Sequence, residues 1–135
     1  MGKPTVLFLC TGNSARSQMA EGLLRAKAGD RYQVESAGTD PAAVVNPLAV
    51  EVMREIGIDI SSQRPKSVKE FLGRVPVRHL VIVCDGANEA CPSTFPGVIT
   101  RDFWPIDDPR GGIENFRIAR DEIASRIDAW VGSRE

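Results

Sequence analysis

Cys10 and Arg16 bracket Thr11, Gly12, Asn13, Ser14 and Ala15, and Ser17 follows. A cysteine, a run of small hydrogen-bonding residues and an arginine are the parts of a nucleophilic site for a tetrahedral oxyanion. Backbone N–H groups that turn through small residues into a helix converge on one spot, where the helix dipole also favours negative charge. The same field favours thiolate over thiol, so Cys10 should titrate below the free-thiol value of roughly 8.5. Arg16 offers a planar fork for two oxygens of the anion while the sulfur attacks its centre. Gly12 and Asn13 tolerate the positive φ that a loop wrapped round an anion requires. The Ser17 hydroxyl either donates to the Cys10 sulfur or caps the following helix; the spacing allows both. A buried core cysteine followed by a solvated arginine would not need this much turn chemistry between them.

Two more thiols extend the chemistry. Cys84 and Cys91 are separated by Asp85-Gly86-Ala87-Asn88-Glu89-Ala90, a segment poor in apolar anchors. Phosphoester hydrolysis needs one thiolate, an arginine and a carboxylic acid. Reduction of an oxyanion needs a second thiol to attack the sulfur-bound adduct, and a third can carry the resulting disulfide to an external reductant. Asp107 and Asp108 before Pro109 supply candidate acids, with a turn or cap as the alternative use. His79 is expected at a strand edge rather than in catalysis, and Phe103 and Trp104 in packing. One histidine and no paired Cys-x-x-Cys or His-x-x-x-His spacing argue against a metal site.

These residues need a scaffold. Thr5 to Leu9 reads as a buried strand, and Met19, Ala20, Leu23 and Leu24 recur at helical spacing over Ser17 to Lys27. Further strands are expected over Tyr32 to Ser36, Leu80 to Val83 and Val98 to Phe103. A helix should start at the Asn46-Pro47 cap and end at Gly57, with a short one over Ser67 to Gly73. A last helix, from about Ile113 to Val131, places Phe116, Ala119, Ile123, Ile127 and Trp130 in one buried stripe. The order implies an α/β fold: an open four-stranded parallel sheet with helices on both faces, all of residues 1–135 in one domain. Ligands bind such sheets outside the carboxyl ends of the strands, where Cys10, Cys84 and Asp107-Asp108 should meet.

A chain of 135 residues, 42% hydrophobic, can bury a core, and none of its apolar runs approaches the roughly 20 residues of a membrane span. A net charge of -1 without long charge runs argues against nucleic acid or an anionic membrane as partner. No secretory leader is visible, and an odd count of three cysteines fits reactive thiols in the cytoplasm better than a disulfide framework.

The stretch Cys10 to Gly22, together with Ser36-Ala37-Gly38, Asn46-Pro47, Asp59-Ile60-Ser61, Cys84 to Pro92 and Trp104 to Pro109, resembles the thioredoxin-coupled arsenate reductases. These share the fold of the low-molecular-weight protein tyrosine phosphatases. The resemblance implies that Cys10 attacks arsenate held by the amides of Thr11 to Ser17 and by Arg16, with Asp108 as general acid. Cys84 would then attack Cys10 and release arsenite, and Cys91 would attack Cys84. Thioredoxin, or a glutaredoxin with a small thiol, would reduce the final disulfide of a monomeric enzyme that needs no cofactor. Relatives with a potassium site use positions matching Asn13, Glu21 and Ser36 and an acidic residue after Asp59-Ile60-Ser61. Here Lys66 is the nearest counterpart, so its ammonium is expected to replace the cation. A phosphotyrosine phosphatase is the chief alternative, although Pro109 is followed by Arg110-Gly111-Gly112 rather than by the aromatic wall of a phosphotyrosine pocket. A noncatalytic oxyanion-binding module is the third.

Overall fold

The computed structural model describes residues 2–83 and 97–134. Four parallel strands, β1 (Thr5–Cys10), β2 (Gln33–Gly38), β3 (Val77–Ile82) and β4 (Thr100–Phe103), form one sheet in the order β2-β1-β3-β4. Every residue of β1 is buried, as befits the centre of a parallel sheet covered on both faces. The fold class expected from the order of elements is therefore the one observed.

Helix α1 (Arg16–Ala28) starts directly after the Cys10 loop and packs Met19, Ala20, Leu23 and Leu24 into the core. The side chain of Asn46 accepts from the Leu48 N–H at 2.9 Å and Pro47 occupies the first turn of α2 (Pro47–Arg54). That end was legible because proline lacks a donor that the first turn cannot use. Helix α3 (Ile113–Gly132) buries the expected stripe from Phe116 to Trp130 and packs on α1 and α2.

The differences have local causes. β2 runs past its expected end at Ser36, through Ala37 and Gly38, because the Gly38 N–H donates to the Lys66 carbonyl at 2.7 Å and a side chain there has no room. A Cβ on Gly38 would lie 2.4 Å from the Thr11 carbonyl oxygen. β3 begins at Val77, earlier than its apolar run, since His79 packs edge-on against the rings of Tyr32 and Trp130 and Nδ1 meets the Thr100 hydroxyl at 2.7 Å. Burial, and secondarily Arg134, lowers the His79 pKa. The segment after Ser67 is a single 3₁₀ turn, Val68–Glu70, rather than a longer helix. Among the described residues, no helix is long and apolar enough to cross a membrane.

Candidate active site

Cys10 ends β1 beside Gly38 of β2, at the carboxyl edge of the sheet. The loop that follows is held from outside. Thr39 N–H donates to the Cys10 carbonyl (3.1 Å), Asp40 to Thr11 (2.9 Å), Ala42 to Gly12 (2.8 Å) and Asn46 to Ser14 (2.8 Å). In a trans peptide the N–H points opposite to the carbonyl. Carbonyls drawn outward by the segment 39–46 therefore leave the N–H groups of Thr11, Gly12, Asn13 and Ala15 facing the concave side, where an oxyanion would sit. Nothing in the sequence singled out 39–46 for this work.

Asn13, with φ 50°, is the one residue other than glycine with positive φ among the described residues. This conformation carries strain that the surroundings must over-determine. It brings the Asn13 N–H to 3.1 Å from Cys10 Sγ. Ser17 is not a cap: it lies inside α1, whose cap position is Ala15, and its Oγ is 2.8 Å from Cys10 Sγ. Of the two uses the sequence allowed, the contact with sulfur is the one realised.

Arg16 joins the loop to the segment after β4. Its Nη1 donates to the Ile106 carbonyl at 2.9 Å, and Nη2 lies 3.5 Å from Asp108 Oδ1. The structure thus places Asp108 at the arginine, with Arg110 Nε 3.3 Å from its other oxygen. Neither aspartate caps α3, whose cap position is Gly112, with no side-chain cap. Trp104 is buried against Phe8, as a packing residue should be, while Phe103 on the edge strand is 41% exposed. Cys84 and Cys91 lie outside the described residues. The residue before Cys84 is informative, since Val83 N–H donates to the carbonyl of Leu9, the residue before Cys10, at 3.0 Å.

Behind the loop stands a buried polar cluster. Glu21 Oε1 accepts from the Ser36 hydroxyl at 2.5 Å, and its Oε2 lies 2.6 Å from Arg25 Nη2. Lys66 Nζ stands 3.6 Å from Glu21 Oε1, with both side chains nearly enclosed. Asn13 Oδ1 already accepts from the Lys66 N–H at 2.9 Å and from Gln18 Nε2 at 3.1 Å. The positions matching a potassium site are assembled, but the oxygens are engaged by donors and a lysine ammonium stands at the carboxylate. The arrangement does not fit an added cation. Gln18 and Gln63 also belong to this cluster and were not anticipated as functional.

The parallel sheet brings a cysteine, a loop, an arginine and a carboxylate to one edge, the parts that chemistry on an oxyanion requires. The chain belongs to the low molecular weight phosphotyrosine protein phosphatase family, which matches residues 5–134. Within it, the chain is 45% identical over 139 residues to an arsenate reductase of Halalkalibacterium halodurans, covering 97% of each chain. It is 42% identical over 132 residues to arsenate reductase 2 of Staphylococcus haemolyticus, covering 96% of this chain and 98% of that one. A solved structure of a thioredoxin-dependent arsenate reductase from Corynebacterium glutamicum superposes with a TM-score of 0.79 at 33% identity, over 97% of this chain and 61% of that one.

Proposed function

We propose that this chain is a cytoplasmic arsenate reductase that works through Cys10, Cys84 and Cys91, with thioredoxin as the terminal reductant. The Cys10 thiolate attacks arsenic in arsenate bound by the loop amides and Arg16. Asp108 protonates the departing oxygen, which leaves as water, and a sulfur–arsenic bond remains. The Cys84 thiolate then attacks Cys10 Sγ. The sulfur–arsenic bond breaks with its electron pair going to arsenic, so As(V) becomes As(III), arsenite departs and a Cys10–Cys84 disulfide forms. Attack by Cys91 on Cys84 regenerates the Cys10 thiolate and leaves a Cys84–Cys91 disulfide for thioredoxin to reduce.

The observation that carries this reading is the pairing of Val83 with Leu9. It brings the chain entering Cys84 alongside the chain entering Cys10, at the edge where Arg16 and Asp108 meet. The names of the similar proteins support the choice of arsenate.

A phosphatase uses the same cradle, so slow cleavage of a phosphate ester is expected alongside. The test follows NADPH consumption with arsenate, thioredoxin and thioredoxin reductase. Cys10→Ser, Cys84→Ser and Cys91→Ser should each abolish turnover, while the last two still cleave a chromogenic phosphate ester. Normal arsenate turnover by Cys84→Ser and Cys91→Ser would overturn the relay in favour of the phosphatase. Absence of arsenite with every thiol donor would favour a binding module.

A further inference from the structure

The buried polar cluster behind the loop has a direction. Arginine offers only donors, so the contact of Arg25 Nη1 with Gln63 Oε1 (3.1 Å) makes that oxygen an acceptor. Gln63 Nε2 must then donate, and it meets the Gln18 carbonyl at 3.1 Å and Gln18 Oε1 at 2.7 Å. With its oxygen so engaged, Gln18 turns Nε2 to the carbonyls of Asn13 (3.0 Å) and Arg64 (2.9 Å) and to Asn13 Oδ1 (3.1 Å). Backbone carbonyls only accept and backbone N–H groups only donate. Each amide in the series is therefore oriented twice over, once by its neighbour and once by the main chain, including the Lys66 N–H on Asn13 Oδ1.

Asn13 cannot flip, and its Nδ2 donates to Ser17 Oγ at 2.7 Å and to Ser36 Oγ at 3.0 Å. Ser36 passes its own hydrogen to Glu21. Ser17 has accepted one hydrogen and carries one to give. Its other contact is Cys10 Sγ, 2.8 Å away. We propose that Arg25, Gln63, Gln18 and Asn13 form a one-way hydrogen-bond relay that commits the Ser17 hydroxyl to donating to the Cys10 sulfur. Gln18 and Gln63 are thereby positioning residues for the nucleophile. A serine hydroxyl is free to rotate, and an asparagine amide reversed at this point would accept the Ser17 hydrogen and take it from the sulfur. Asn13, Ser17 and Gln18 have no solvent exposure, so bulk water does not compete for the bonds among these three residues. In such surroundings each bond polarises the next. The relay also holds the carbonyl of strained Asn13, whose N–H is a second donor to the sulfur.

The inference rests on the reading of Cys10 as nucleophile for its consequence in turnover. Its test reads Cys10 acidity directly, so it can fail while that reading stands. Alkylation of Cys10 by iodoacetamide is followed against pH in the full chain by peptide-resolved mass spectrometry, which separates Cys10 from Cys84 and Cys91. Gln18→Met and Gln63→Met should each slow alkylation near pH 6 by about threefold, with an unchanged plateau near pH 10 where the thiol is fully ionised. In a Ser17→Ala background the logarithm of that effect should fall below half, because the relay then lacks its last donor. Gln63 sits on a partly exposed segment, so Gln63→Met carries the test alone if Gln18→Met does not fold. No slowing in the wild-type background, or half or more of it surviving in Ser17→Ala, would overturn the proposal. A change confined to the plateau reports loosened packing and overturns it equally.

Discussion

Replacing Lys66 by methionine tests whether the chain supplies its own cation. The Nζ stands 3.6 Å from Glu21 Oε1, and the two side chains are 11% and 4% exposed. At that separation an effective dielectric of about 20 gives an attraction of about 4 to 5 kcal/mol. The loss on substitution is smaller, because Arg25 at 2.6 Å and the Ser36 hydroxyl remain on the same carboxylate. Removing one partner of a buried pair typically costs about 3 to 5 kcal/mol, and the remaining partners reduce this to about 2 kcal/mol. For a chain of this length that corresponds to a melting point roughly 6 to 10 °C lower. Thermal unfolding and arsenate turnover are measured in potassium chloride and in choline chloride at equal ionic strength. The wild type should behave alike in both salts. Lys66→Met should be destabilised in choline and regain part of the loss in potassium, which can approach the vacated carboxylate. Several-fold activation of the wild type by potassium refutes the reasoning, and so does a Lys66→Met protein within about 0.5 kcal/mol of the wild type.

Asp108→Asn should lower arsenate turnover by about 100-fold or more while Cys10 alkylation persists, since the acid acts on the leaving oxygen and not on the thiol; turnover within threefold of wild type would remove Asp108 from the mechanism. Gly38→Ala would drive a methyl group against the Thr11 carbonyl, so a loss of about 2 to 3 kcal/mol in urea unfolding is expected, together with slower Cys10 alkylation. Acid stability should depend on Glu55. Hydrogen bonds from Arg117 first, and from Arg120 against the opposing effect of burial, hold its pKa at about 2 instead of 4.5. A carboxyl lowered by folding stabilises the protein above its unfolded pKa, and that contribution is lost as pH falls through the folded value. The urea midpoint of Glu55→Gln should therefore fall less steeply than that of the wild type between about pH 4.5 and pH 2; parallel curves would contradict the assignment.

The parts that sequence exposes are those whose physics is local. The Asn46-Pro47 cap, the apolar stripe of α3 and the unbroken apolar run of β1 each state their structure within a few residues. Cys10 and Arg16 were legible for the same reason, because a strand, a turn and a helix lie in one continuous stretch. Residue chemistry alone left Asp108 as one of two neighbouring aspartates, and only the family resemblance singled it out. What selects it is the Arg16 fork, 92 positions earlier in the chain, and no periodicity reports such a contact. The bracing of the loop by 39–46 was invisible because it is made by backbone N–H groups, which every residue but proline possesses.

Gln18 and Gln63 illustrate a further limit. A glutamine in an amphipathic helix ordinarily reads as solvated surface, yet Gln18 has no exposure at all. Burying an amide is unfavourable unless its donors and acceptor all find partners. Every buried side-chain nitrogen and oxygen among the described residues does have one. A polar residue carried at that cost behind a strained loop answers to the geometry of the loop rather than to the stability of the helix. The prediction that separates the two is the pH dependence of Cys10 alkylation in Gln63→Met, whose side chain touches neither the loop nor the sulfur. If the glutamines merely fill space, methionine fills it as well and the profile stays in place; if they orient Asn13, the profile moves to higher pH.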